Sequence, residues 1–174
     1  HVSGTSPEGH GSLSAFRLQY PDALKASFLG NESARGDVTT AMTAFADCYG
    51  AWIEQTLRGR AGLFDKELRR AAESNLERCL ATVMRIRTGV DMLMHDDAAW
   101  TAFALANAAM DRQSRYRAKG AGAKPLVWRP FQLAFMLLVI PGLADPALDD
   151  RQCMDLLWFP TGGGKTEAYL ALTA

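Results

Sequence analysis

The sequence predicts a mostly α chain that closes on the opening of an α/β unit: a strand, a phosphate-binding loop and the start of a helix. Three observations carry this. Apolar residues recur at helical spacing from Val38 to about Arg117. A second, uninterrupted apolar run spans Phe131 to Ile140. The strand-like run Cys153 to Phe159 then leads through Pro160 into Thr161-Gly162-Gly163-Gly164-Lys165-Thr166.

Residues 1–37 read as an irregular lead. His1 to Ser14 is rich in Gly, Ser and His, as flexible termini are. Phe16 to Tyr20 suits a short strand before Pro21, and Gly30 to Asp37 is a polar break.

A helical accessory domain is expected over 38–119. Asp37 can cap its first helix, which runs to about Leu57 with Ala41, Phe45, Cys48, Trp52 and Ile53 near helical spacing. Gly59 to Gly62 breaks it. A second helix runs from Leu63 to about Met94, its apolar stripe formed by Leu68, Ala72, Leu76, Leu80, Val83 and Val90. Arg69, Arg70, Glu73, Glu77, Arg78 and Arg85 fall on other faces, and Gly89 marks a kink or an end. A third helix starts at Asp96 or Asp97 and reaches about Arg117, carrying Trp100, Phe103, Leu105, Met110 and many alanines. These stripes read as core. Arg112, Arg115, Arg117, Lys119 and Lys124, with Tyr116 among them, suit a solvated helix end whose cations the helix dipole favours. The other reading is contact with phosphates, with Tyr116 stacked on a base. Asn107, Asp111 and Gln113 suit either helix packing or a docking surface.

Residues 120–127, through Gly120-Ala121-Gly122-Ala123, form a linker. The nucleotide-binding unit is expected over 128–174. It opens on Trp128-Arg129-Pro130-Phe131-Gln132. A glutamine amide offers donors and an acceptor, so Gln132 can pair with adenine N6 and N7. Arg129 or Phe131 can stack on the base. Pro130 equally suits a first helical turn, which would leave Gln132 on the surface. The run Phe131 to Ile140 is apolar nearly all round, which predicts a buried helix, ended by Pro141-Gly142. It is too short for a membrane span of about twenty residues. Ala144 to Asp150 makes an acidic loop.

The loop carries the chemistry. Consecutive glycines let backbone N–H groups approach phosphate oxygens closely. Lys165 supplies a point charge for the β and γ phosphates of ATP and is the candidate catalytic residue; Thr166 offers its hydroxyl to Mg²⁺. A helix beginning near Lys165 aims its positive end at the anion. Phe159 stands where the strict G-x-x-x-x-G-K-[ST] pattern needs glycine. The loop therefore departs from the general pattern and resembles the T-G-x-G-K-T form of motif I in superfamily 2 helicases and translocases.

Composition bounds the rest. With 174 residues, 48% of them hydrophobic, the chain has material for one ordinary domain. Its formal net charge is zero, so no global field draws nucleic acid, although a motor can track phosphates with local patches. Cys48, Cys79 and Cys153 are scattered, which points to a reducing, cytoplasmic setting without disulfides or zinc. His1, His10 and His95 share no metal-ligand spacing. No signal peptide or membrane segment is evident. The sequence opens on His1 and stops soon after Thr166, so it is expected to be the front piece of a larger protein.

Pro130 to Phe135, followed by Asp155 to Leu170 with its Thr161-Gly162-Gly163-Gly164-Lys165-Thr166 loop, resembles the start of the helicase core in the DrmA family of DISARM anti-phage defence helicases. Ala102-Phe103, Asn107, Ala109-Met110 and Gln113 also resemble the segment preceding that core. The resemblance implies the first part of a RecA-like superfamily 2 lobe. It implies an ATP-dependent motor on DNA, single- or double-stranded. It implies as partners the remaining helicase core of the same protein, a phospholipase-D-like subunit and a DNA methyltransferase module. Thr161 to Thr166 would take phosphates and Mg²⁺, and Arg129, Phe131 and Gln132 the adenine. The acidic box and arginine fingers needed for hydrolysis lie outside this sequence. Two other readings remain open: another P-loop NTPase, against which Phe159 argues, and a restriction-type translocase. In either, the helical region would serve as a partner-docking module.

Overall fold

A computed structural model of the chain describes residues 11–117, 125–152, 154–155 and 163–174. Within them the backbone is built from helices. They are α1 (Gly11–Gln19), α2 (Ala26–Leu29), α3 (Arg35–Trp52), α4 (Gly59–Ala61), α5 (Lys66–His95), α6 (Asp97–Arg117), α7 (Pro130–Ala144) and α8 (Lys165–Thr173). Short 3₁₀ turns lie at Glu32–Ala34 and Asp149–Gln152, and a π-helical stretch, Ile53–Arg58, joins α3 to α4.

Side-chain caps set several boundaries. The Asp65 carboxylate accepts the Leu68 N–H at 3.0 Å and starts α5. Asp96 accepts the Ala99 N–H at 2.9 Å, separating α5 from α6. Asn31 accepts the Ser33 N–H at 3.3 Å and opens the 3₁₀ turn that feeds α3.

Several expectations are corrected. Phe16 to Tyr20 is not a strand: Phe16 lies in α1, where it and Leu13 are buried together. Their spacing of three residues serves one helix face, and tertiary burial overrides the aromatic strand signal. The lead therefore holds helices α1 and α2 joined by a turn at 21–24; residues 1–10 lie outside the described residues. Asp37 does not cap α3 but sits in its first turn, because the Asn31-led turn already carries the chain into helix at Arg35. Gly59 does not break the first hairpin arm; helical backbone continues through Ala61, and the turn comes at Gly62 to Phe64. The second helix begins at Lys66 rather than Leu63 because Asp65 is its cap. Leu68 is exposed and the buried stripe of α5 starts at Leu76; Leu105 on α6 is likewise exposed. Gly89 does not end α5, which runs on to His95. Pro141 does not end α7, which runs to Ala144; the preceding turns are held by packing of Leu137, Leu138 and Ile140. Part of the expected acidic loop is a 3₁₀ turn, Asp149–Gln152.

The expected strand falls almost wholly on Cys153 and residues 156–159, outside the described residues. Its described members, Met154 and Asp155, are not in a strand. No strand occurs among the described residues, only an isolated antiparallel bridge between Lys25 and Val127. The Ala26 N–H donates to the Leu126 carbonyl at 2.9 Å, and the Trp128 N–H to the Leu24 carbonyl at 2.7 Å. Residues 126–128 of the expected linker and clamp are thus laced to the chain after α1.

One core joins these pieces. α3 packs on α1 and α5, α5 crosses α7, and α6 packs on α2, α5 and α8. A single buried cluster reaches from Leu13 and Phe16 through Val38, Phe45, Val90 and Trp100 to Trp128, Leu137 and Ala171. A smaller cluster of Trp52, Ile53, Leu76 and Val83 lies between α3 and α5. Burial raises the Cys48 thiol above its ordinary value, against a weaker opposing pull from the Ser12 hydroxyl.

Buried polar residues set the register of α6. Trp128 is 1% exposed, and its indole N–H donates to Asn107 Oδ1 at 2.8 Å. The Asn107 amide donates to the Phe103 carbonyl at 2.8 Å. Asp111 accepts the Leu126 N–H at 3.1 Å and pairs with Arg115 at 2.5 Å. Asn107 and Asp111 are therefore packing groups, each satisfied as burial demands, while Gln113 is exposed. Among the described residues no helix is long and apolar enough to cross a membrane.

Candidate functional site

The site is built where the N-terminus of α7 meets the N-terminus of α8. Pro130 occupies the first turn of α7, where its missing N–H costs nothing. Gln132 follows in that turn and is 5% exposed, so it is not the surface residue that a bare helix start would have left. Its Oε1 accepts the Arg129 N–H at 2.8 Å, and its Nε2 donates to the Gly164 carbonyl at 2.6 Å. Arg129 Nη1 donates to the Gly163 carbonyl at 3.1 Å. Two of the three residues expected to hold adenine, Arg129 and Gln132, are gathered onto the glycine loop itself. An amide carries two N–H groups and two lone pairs, so these bonds do not exhaust Gln132.

This grip has a geometric consequence. In a trans peptide the C=O and the following N–H point to opposite sides. Capture of the Gly163 carbonyl by Arg129 turns the Gly164 N–H away from α7. Capture of the Gly164 carbonyl by Gln132 does the same for the Lys165 N–H. Both donors stand at the positive end of α8, an arrangement that suits an anion.

Gly164 makes the turn possible. Its φ is +86°, the one positive φ among the described residues, and a Cβ there would lie 2.7 Å from Gln132 Nε2. The cradle is thus one that any side chain would fill. Gly164→Ala is expected to displace Gln132 and to weaken binding of an ATP analogue by at least about tenfold, since it combines αL strain of roughly 1–2 kcal/mol with a clash. Titration of the two proteins with a fluorescent ATP analogue checks this; equal affinity would show that the loop does not use this geometry.

α8 fixes the next two residues. It is seated by Ala168 and Ala171, both buried, and by an edge-to-face contact between Tyr169 and Phe135 of α7 with ring centroids 5.6 Å apart. Lys165 is half-buried in its first turn and Thr166 is exposed beside it. Phe131 is half-buried at the start of α7. Thr161, Gly162 and the departure residue Phe159 lie outside the described residues. No group of His, Cys, Asp and Glu residues able to hold a metal ion occurs among the described residues.

The basic run is partly engaged within α6. The Arg112 guanidinium lies 6.0 Å from the Tyr116 ring centroid, and Arg115 is paired with Asp111. Lys119 and Lys124 lie outside the described residues, as does the side chain of Arg117. One pair escaped sequence reasoning. Arg85 of α5 and Asp155, at the entry to the loop, form a two-pronged ion pair at 2.6 and 2.7 Å. The partners are 70 positions apart, and no local pattern links them.

Comparison with known proteins agrees with the resemblance read from the loop and its upstream segments. No family model matches the chain. In an alignment of 142 residues that covers 74% of the chain, it is 39% identical to the DISARM protein DrmA of Bacillus paralicheniformis. The matched region is 12% of that protein's length, so the chain spans about an eighth of this curated relative. Over most of its length, the chain is a homologue of part of the DISARM protein DrmA.

Proposed function

We propose that this chain is the ATP-contacting front part of a superfamily 2 DNA helicase or translocase that works in DISARM anti-phage defence. The observation that carries the reading is the grip of Arg129 and Gln132 on the Gly163 and Gly164 carbonyls at the head of α8. It supports a loop shaped for phosphate, and the likeness to a DISARM protein supports the setting.

In this reading Thr161 to Lys165 hold the phosphates, Thr166 contributes its hydroxyl to Mg²⁺, and Arg129, Phe131 and Gln132 border the adenine. Bound Mg²⁺ supplies neutralising charge to the phosphates. Lys165 orients the terminal phosphate and stabilises its developing charge. Positioning the attacking water and the arginine that completes the charge cage fall to the remaining helicase core, which is a partner by this reading. DNA and a phospholipase-D-like DISARM subunit are the other partners.

The test is ATP hydrolysis by the intact protein, alone and with single- or double-stranded DNA. Turnover is expected to rise with DNA, and the stronger activator identifies the strand form tracked. Turnover indifferent to nucleic acid would move the protein to another class of P-loop NTPase.

A further inference from the structure

We propose that the tip of the hairpin formed by α3 to α5 is a contact for single-stranded DNA, with Leu63 and Phe64 packed against bases and Arg60, Lys66 and Arg70 facing phosphates. The inference rests on the reading of the intact protein as one that acts on DNA, and not on the loop that holds ATP.

The hairpin outruns the core that supports it. α3, its π-helical extension and α4 run out along α5 and turn back at Gly62 to Phe64. Trp52, Ile53, Leu76 and Val83 close its base. Between Ile53 and Leu76, Ala61 is the one buried residue among those described. The tip is nevertheless held in shape. The Leu63 N–H donates to the Arg60 carbonyl at 3.0 Å. Arg69 Nη2 donates to the Gly62 and Phe64 carbonyls, each at 3.2 Å, and Asp65 caps α5. This ordered turn leaves Leu63 83%, Leu68 56% and Phe64 44% exposed. Single exposed apolar side chains are ordinary. Three large ones at one turn mark a surface that a partner covers.

Charge says which partner. The chain has a formal net charge of zero, yet the segment from Arg58 to Arg70 carries five cations against two acids. Arg58 is paired with Glu54, and the Asp65 carboxylate is engaged by the Leu68 N–H. Arg69 donates to neutral carbonyls and keeps its charge. Arg60, Lys66 and Arg70 are exposed, and no ion pair among the described residues engages them. The N-terminus of α5, a helix of 30 residues, adds the positive end of its dipole. An apolar turn flanked by cations matches a strand of nucleic acid, which offers phosphates and bare base faces together. A duplex hides those faces in its stack, so the single strand is the form that fits both halves of the surface.

The experiment titrates the intact protein and three variants with a fluorescein-labelled oligothymidylate of about twenty nucleotides, at salt concentrations from about 50 to 200 mM. The variants are Leu63→Ser/Phe64→Ser, Arg60→Ala/Lys66→Ala/Arg70→Ala and Leu105→Ser. Anisotropy reports binding, and circular dichroism melts confirm folding. All the substituted side chains are exposed, so each variant should melt with the wild type. The apolar variant is expected to bind about tenfold more weakly, with its salt dependence unchanged. The cation variant is expected to bind more weakly and to lose about 2 from the slope of log affinity against log salt, since each single-strand phosphate contact carries about 0.7. Leu105→Ser, which removes an exposed leucine from α6, should bind as the wild type does. Wild-type affinity and slope in both folded hairpin variants would overturn the inference while leaving DNA binding elsewhere on the protein. Loss of subunit assembly in the apolar variant, with DNA binding intact, would overturn it in favour of a protein-docking tip. If the wild-type protein binds no oligonucleotide, the DNA reading falls and this inference with it, while a fluorescent ATP analogue still tests the loop separately.

Discussion

Lys165→Ala in the intact protein is expected to lower ATP turnover by at least about a hundredfold, because it removes a preplaced charge from the phosphate site. Folding should survive. Lys165 lies in the first turn of α8, whose seating comes from Ala168, Ala171 and Tyr169. Alanine is also the strongest helix former, so the melting temperature should move by no more than about two degrees. Phosphate release and a thermal melt on the same preparation separate the two effects. A folded Lys165→Ala protein with normal turnover would end the assignment of this loop to ATP.

The second large effect is on stability, at Gly89. Glycine inside a helix ordinarily costs about 0.5–1 kcal/mol relative to alanine, so Gly→Ala usually stabilises. Gly36 in α3 meets this expectation: an added Cβ there finds nothing within 4 Å. At Gly89 the same Cβ would lie 1.9 Å from the Leu137 carbonyl oxygen and 2.8 Å from its carbon. Backbone cannot swing aside as a side-chain tip can. α5 and α7 would have to separate, opening the core around Val90, Leu133 and Leu137. Overpacking of this kind costs about 3 kcal/mol, which for a domain of this size lowers the melting temperature by roughly 6–12 °C. Gly36→Ala should instead raise it slightly. Equal shifts in the two variants would show that the helices do not cross at Gly89. A loss of DNA-stimulated turnover in Gly89→Ala would follow from the same displacement, since α7 carries Arg129 and Gln132.

The proposal of a phosphate loop could be drawn from sequence because the chemistry it invokes is local. Gly162 to Thr166 lie side by side in sequence, and phosphate binding needs that order of residue types. The long helices were legible because a buried face imposes a period of 3.6 residues, visible from Val38 to Met110. The start of α7 was legible through Pro130, whose fixed φ suits a first turn. Short elements were not. α1 carries only Leu13 and Phe16 on its buried face, too few to show a period, and it packs against α3. The stop expected at Pro141 failed because packing of a buried apolar helix outweighs one missing hydrogen bond. Leu68 matched the stripe of α5 and is still exposed, since periodicity says which residues share a face but not what lies opposite it.

The site divides the same way. The sequence by itself determined that a Thr-Gly-Gly-Gly-Lys-Thr segment is present, which side chains it offers, and that a glutamine and an aromatic lie upstream. Only the tertiary structure decided what those upstream residues touch: Arg129 and Gln132 hold loop carbonyls, and Arg85 pairs with Asp155 from 70 positions away. Residue type and spacing report chemistry that acts along the chain. Which distant groups meet is set by how apolar faces pack, and that depends on the whole core rather than on any one segment.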